Sequence, residues 1–244
     1  MPRNPLLAFG ALLLAALLGA AAFALLQPLL LPGGADRART EAIVHDYILS
    51  HPEILPEAMQ KLQEREVGKA VDANRVAIET PFAGAWAGNA QADVTLVAYM
   101  DYACGYCRAS LPAIDKLLES DPKVRIVYRE LPILSPGSRT AAEWALAAAQ
   151  QGKFRPFHAA LYAESRLDEA AIQRAAAKAG LDVAAARTAA GSQAVQQEIA
   201  RNIGQAGQLG ITGTPTWVVG DQMLSGAVGY DALVAAVARA RKAG

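Results

Sequence analysis

Cysteine is close to absent from this chain. Two residues in 244, Cys104 and Cys107, are the whole supply. A scaffold stapled by several disulfides is therefore excluded, and the pair is left free for chemistry. Histidine is scarce as well, with His45, His51 and His158 scattered along the chain. A structural zinc site needs four ligands, and there is no second cysteine pair to complete one. Excess charge is lacking too: 23 basic side chains face 23 acidic ones. With no basic stripe, a nucleic-acid surface is not expected. The four methionines, Met59 and Met223 among them, are dispersed rather than clustered.

What is present begins with grease. Arg3 precedes an apolar stretch from Leu6 to Leu31, broken only by Gln27-Pro28. A basic start followed by a long hydrophobic region reads as an export signal. Ala22-Phe23-Ala24 would serve a signal peptidase, but cleavage there leaves Leu25-Leu26 and Leu29-Leu30-Leu31 on the mature end. The run is long enough for a helix to cross a bilayer. Residues 1–34 are thus read as a signal peptide or membrane anchor with its linker, the uncleaved anchor being favoured. In either case the remainder is exported, to the periplasm or an equivalent extracytoplasmic space.

Residues 35–80 read as a helical segment. Ile43, Val44, Tyr47 and Ile48 share one face at helical spacing. Ser50-His51-Pro52-Glu53 has capping-box character, and Pro56 suits a first helical turn. The following helix carries a thin stripe of Met59, Leu62, Val67, Val71 and Ile78. Such a stripe wants a partner, either the rest of the chain or the same helix in another subunit.

From 81 to 244 the pattern is that of one α/β domain. Phe82–Ala87 suggests a short strand, and Val94–Met100 is apolar throughout, as a buried central strand should be. A helix from Cys104 to Glu119, kinked by Pro112, leads to a strand at Val124–Arg129. That crossover implies a parallel pair. Residues 138–209 are an alanine-rich helical insertion, with Ser138, Asp168 and Asp182 as N-cap candidates. Thr216–Val219, a Gly220-Asp221 turn and Gln222–Leu224 form a hairpin, and Tyr230–Arg241 closes the chain as an amphipathic helix.

The cysteines fall where strand gives way to helix. At i and i+3 in a first helical turn they lie on one face, close enough to bond. The unsatisfied N–H groups and the macrodipole of a helix start favour a thiolate on Cys104. Cys107, one turn deeper, is less exposed and suited to resolving a mixed disulfide. About a hundred residues later, Gly213-Thr214-Pro215-Thr216 opens another strand. A strand leading into Cys-x-x-Cys, with a distant Thr-Pro, is the layout of a thioredoxin-like redox site.

These motifs together resemble the DsbA-like thioredoxin-fold oxidoreductases over residues 81–244. The segment His45–Glu57 is similar to the N-terminal region of ScsC-type and Com1-type members. The resemblance implies a thioredoxin-like fold with a helical insertion. It implies Cys104 as attacking and Cys107 as resolving cysteine, and Pro215 as the cis-proline that packs against the disulfide. With Thr214, Gly105 and Tyr106, Pro215 would contact substrate. The Cys104–Cys107 disulfide is then the sole redox group, with no further cofactor and no metal. Unfolded or misoxidised exported proteins are the implied substrates, and a membrane redox partner recycles the pair. A homo-oligomer through residues 37–78 is implied by likeness to the ScsC type.

Two departures qualify the likeness. Thioredoxin and DsbA place a buried acid six residues before the first cysteine, where this chain has Ala98. Asp101 is the nearest carboxylate, and a helix-capping role suits it. The dipeptide between the cysteines is Gly-Tyr, similar to the site of the DsbC isomerases, whereas DsbA oxidases more typically carry Pro-His. The expected activity is therefore disulfide isomerisation or reduction. A DsbA-type oxidase is the alternative, and a copper-binding protein using the soft thiolate pair is a rival from a different class.

Overall fold

The computed structural model describes residues 5–30 and 34–243. Helix α1 spans Pro5–Leu30, α2 Gly34–Ser50 and α3 Ile54–Glu79. The chain divides into two compact units between Lys61 and Leu62, inside α3.

In the first unit, α1 carries the apolar run. Among the described residues, no helix is long and apolar enough to cross a membrane. The expected anchor, Leu6–Leu31, falls partly outside the described residues. The side chains at both ends of that run lie outside the described residues. The linker residues 31–33 lie outside them too. On α2, Ile43, Val44 and Tyr47 are exposed, as are Leu55 and Met59 on α3. Ser50 caps nothing at α3. Its hydroxyl turns back and donates to the Asp46 carbonyl, closing α2 instead.

The second unit is built on a five-stranded sheet. Its strands are β1 Trp86–Gly88, β2 Val94–Met100, β3 Val124–Glu130, β4 Thr216–Val219 and β5 Gln222–Ser225. The spatial order is β1-β3-β2-β4-β5. The β2–β3 pair is parallel and the other pairs are antiparallel. The β2–β3 crossover is α4, Gly105–Ser120. β1 is shorter than expected. It ends at Gly88, with φ of +96° and space for no side chain: a Cβ there would sit 2.3 Å from the Val124 carbonyl oxygen.

Alternation along β2 explains its unbroken apolar sequence. Leu96, Ala98 and Met100 face the larger core, shared with α4, α10 (Gly229–Ala243) and the inserted helices. Val97 and Tyr99 face the other side, with Val71 and Ile78 of α3, Leu131, Val218, and Ala206 and Leu209 at the end of the last inserted helix. The apolar stripe of α3 is thereby split. Val71 and Ile78 are fully buried and Val67 packs beside them, whereas Met59 and Leu62 stay exposed. The compact unit consequently reaches back past residue 81.

The insertion comprises α5 Pro136–Gln150, α6 Phe154–Tyr162, α7 Glu169–Lys178, α8 Val183–Ala190 and α9 Gln193–Gln208. Asp168 and Asp182 cap α7 and α8 as expected. For α5 the cap is Ser135, not Ser138, because Pro136 takes the first helical position. The alanines of α5 form much of its buried face.

One buried ion pair ties these layers. Arg129 faces away from the larger core and donates to Glu198 and Asn202 of α9. It also donates to the carbonyls of Ala77, Ile78 and Thr80 at the end of α3. Those are carbonyls that a helix terminus leaves without partners.

Candidate functional site

The parallel β2–β3 pair ends at Met100 and Glu130, and the turn 101–104 carries β2 into α4. Cys104 is the N-cap of α4, in extended conformation (φ −85°, ψ 115°). Its sulfur accepts from the Cys107 amide at 3.4 Å, as a capping side chain does. The Cys104 thiol also donates to the Thr214 carbonyl oxygen at 3.1 Å. Residues 110 positions apart thus meet at one sulfur. The Thr214–Pro215 peptide bond is cis. Pro215 is buried and Thr214 half-buried, at the entry to β4. Of the other expected contacts, Gly105 opens α4 with free space around it, and Tyr106 projects into solvent, 70% exposed.

The two cysteines differ in setting. Cys107 is wholly enclosed, and burial pushes its thiol up to about 12. The Asp101 amide and the Thr214 hydroxyl oppose that shift. Such a group stays a thiol at neutral pH. Cys104 is buried as well, but it keeps a small opening, 6% exposed against none for Cys107.

Asp101 does not cap α4, contrary to expectation. The N-cap position is already filled by Cys104, three residues on. Asp101 is itself buried, and its carboxylate accepts three backbone amides. These are Ala103 at 2.8 Å, Ile133 at 2.9 Å and Leu134 at 3.0 Å. It therefore pins the segment after β3 against the cysteine turn. Ile133 and Leu134 are exposed there, beside Tyr106 in kind. Sequence reasoning missed this pair, since apolar residues in a Leu-Pro-Ile-Leu run read as core.

Behind the cysteines lies a polar cluster that the sequence also concealed. The Tyr102 hydroxyl lies 3.3 Å from Glu130 Oε1 and 2.9 Å from His158 Nδ1. Its ring packs on Tyr162, centroids 4.7 Å apart, and the Tyr162 hydroxyl donates to the Asp101 carbonyl. Burial holds the Glu130 acid well above its usual range, with the Tyr102 bond opposing and the Asp101 charge adding. His158 is pushed down to about 3 by burial, with Arg155 adding to it, so it is neutral. Among the described residues, no group of three or more histidine, cysteine or acidic side chains is placed to hold a metal.

A cysteine pair at a helix start, facing a Thr-Pro strand entry across a mixed sheet with a helical insertion, places the protein in the thioredoxin class. The chain belongs to the DsbA-like thioredoxin domain family, whose model matches residues 95–238. Residues 36–67 match a second model, the copper resistance protein ScsC N-terminal domain. Among solved structures, a thioredoxin-like oxidoreductase from Silicibacter pomeroyi is 43% identical, with a TM-score of 0.63. That match covers 65% of this chain and 92% of the other. Proteus mirabilis ScsC in a transitional conformation is 27% identical with a TM-score of 0.66, over 87% of this chain and 98% of that one. The Na(+)/H(+) antiporter NhaA 3 of Salinispora tropica is 36% identical over 153 residues, 62% of this chain. The chain spans about a quarter (24%) of the length of that curated relative.

Proposed function

We propose that the protein is an exported thiol–disulfide oxidoreductase acting on other proteins, with disulfide isomerisation or reduction as its main direction. One observation carries this: the Cys104 sulfur, set on the first amides of α4, meets Thr214 while Cys107 waits enclosed behind it. Cys104 is the nucleophile. Its thiolate attacks a substrate disulfide, one substrate sulfur leaves with the electron pair, and a mixed disulfide forms. Cys107 then attacks Cys104, the second substrate sulfur leaves, and the Cys104–Cys107 disulfide closes. Thr214 and Pro215 line the approach, and Gly105 and Tyr106 complete the substrate contacts. A membrane redox partner resets the pair.

The isomerase direction is favoured by the Gly-Tyr dipeptide and by the match of residues 36–67 to the ScsC N-terminal model. Exposed Ile43, Val44, Tyr47, Leu55 and Met59 supply an apolar surface for self-association. Equilibration with glutathione buffers, alongside reactivation of scrambled ribonuclease, tests the direction. A strongly oxidising pair that cannot reactivate ribonuclease would make the protein a DsbA-type oxidase. Export rests on the basic start and apolar run.

Cu(I) binding by the two sulfurs is a second reading, favoured by the copper resistance description of that same model. Insulin reduction with copper chelated away separates the two: an oxidoreductase keeps its rate.

A further inference from the structure

The second unit covers most of its large apolar side chains and leaves a few bare. Among these are Tyr106, Ile133 and Leu134, exposed at 70%, 45% and 52%. Exposed apolar residues scattered singly need no explanation. These three are not scattered, because one buried side chain joins the segments that carry them. Asp101 Oδ1 accepts the Ala103 amide, and Asp101 Oδ2 accepts the amides of Ile133 and Leu134. The Asp101 carbonyl accepts the Cys104 amide at 3.0 Å. The backbone of residues 133–134 therefore stands one carboxylate's width from the turn that presents Cys104. Tyr106 follows two residues beyond that cysteine.

A loop that only joins β3 to α5 has no reason to carry bare apolar residues, since connecting segments are ordinarily polar. Here Leu131 turns into the core, whereas Ile133 and Leu134 stay outside with their amides fixed. Fixing them costs the burial of a carboxylate, so their position matters more than their contact with the fold. Arg108, next to Cys107, donates to the Glu164 carbonyl. Its guanidinium is thus engaged by the insertion rather than held for an acidic substrate. Whatever covers Tyr106, Ile133 and Leu134 during turnover must also bring a sulfur to Cys104, so the occupant is the substrate segment itself. An extended chain advances ~3.3 Å per residue. Residues two or three places from the substrate cysteine then reach the 133–134 segment.

We propose that Ile133 and Leu134, together with Tyr106, form the specificity element of this site and select disulfides whose cysteine has an apolar side chain within three residues. This deepens the oxidoreductase reading above and rests on it. The apolar neighbours of a cysteine lie inside a correctly folded protein and outside an unfolded or wrongly paired one. The element thereby steers Cys104 to disulfides still open to exchange and away from finished ones. A flanking side chain is covered equally before and during sulfur exchange. Selection therefore falls on the concentration needed for saturation and leaves the limiting rate alone. Asp101 is a positioning residue, acting through the amides of 133 and 134.

The test uses the reduced full chain and two disulfide-linked peptide dimers, one with leucine on both sides of the cysteine and one with serine. Loss of dimer is followed by chromatography over a range of dimer concentrations. The parent is expected to half-saturate with the leucine dimer at a roughly tenfold lower concentration, the worth of covering one apolar side chain. Limiting rates on the two dimers should be alike. Ile133→Ser together with Leu134→Ser keeps both amides for Asp101 and is expected to bring the two half-saturation values together. Exchanging the pair, Ile133→Leu with Leu134→Ile, retains the apolar area and is expected to keep the preference. No preference in the parent, or one that survives the serine pair, overturns the proposal. So does a serine pair that lowers both limiting rates equally, which would mark a structural role. A serine pair that keeps the preference but lowers the oligomeric state in light scattering would assign the surface to a second copy of the chain, again overturning it. If the reduced parent exchanges with neither dimer, the oxidoreductase reading itself fails.

Discussion

Removing the Asp101 carboxylate should loosen the rim of the cysteine site more than the cysteines themselves. A hydrogen bond to a charged group contributes ~1.5–3 kcal/mol. Three amides depend on this one carboxylate. The three bonds are only part-buried, so water replaces some of what is lost. A net cost of ~2–4 kcal/mol is expected for Asp101→Ala, lowering Tm by about 4–16 °C in a domain of this size. Asp101→Asn keeps one carbonyl oxygen but must turn its NH2 towards either Ala103 or the 133–134 pair, so about half the cost remains. The functional effect follows from what is released. Ile133 and Leu134 lose their anchor, and an extended protein substrate loses an apolar shelf beside Cys104. KM for insulin should rise severalfold while turnover of a small aromatic disulfide, which needs Cys104 alone, stays near the parent rate. Thermal unfolding and paired kinetics on the two substrates check this. Unchanged Tm, or equal losses on both substrates, would refute the reasoning.

Other outcomes follow from the same packing. Iodoacetamide at pH 8 should label one thiol of the reduced native protein, Cys104, with Cys107 labelled only after unfolding, as peptide mapping will report. Arg129→Met should cost ~3–5 kcal/mol by leaving Glu198 buried with a single partner, Arg201. Glu198→Gln in the same chain should recover part of that, and urea titration of both variants measures the coupling. A chain beginning at Pro81 should be markedly less stable than one beginning at Leu62, because burial of Val71 and Ile78 stabilises by ~1.5–3 kcal/mol each. In acid, two buried groups oppose each other. His158, depressed from 6.5 to about 3, stabilises the fold above pH 6.5 and loses that contribution as pH falls towards 3. Glu130, raised from 4.5, contributes stability below pH 4.5 that is lost as pH rises through its folded value. Above pH 4.5 the two slopes oppose each other, so Glu130→Gln should steepen the loss of stability as pH falls from 6.5, as thermal unfolding against pH will report.

The parts of this molecule that were legible in sequence are those governed by local rules. β2 announced itself by continuous apolar residues, α7 and α8 by their aspartate caps, and the β4–β5 hairpin by Gly220-Asp221. The meeting of Cys104 with Thr214 was legible only through family likeness, since nothing local brings residues 110 apart together. What stayed hidden was polar and buried. Arg129-Glu130 reads as the solvated end of a strand. In the fold these two side chains point to opposite faces of a covered sheet, one into an ion pair and the other into an aromatic cage. Asp101 was misread for a related reason. A carboxylate three residues before a helix suggests a cap, and only the tertiary position of residues 133–134 reveals its other partners. The α3 stripe looked uniform in sequence. Its two halves diverge because β2, β3, β4 and α9 supply partners for Val71 and Ile78 and none for Met59.

The packing of α3 also sets an order of events for a chain emerging residue by residue. Val71 and Ile78 are made early, yet they pack against Ala206, Leu209 and Val218, which come more than a hundred residues later. Closing so long a loop is slow relative to local helix formation. Until it closes, the second half of α3 is an amphipathic helix with its apolar stripe bare and its last carbonyls waiting for Arg129. A nascent chain therefore displays this helix for most of its synthesis, and any factor that holds the chain unfolded in that interval will find its apolar handle there.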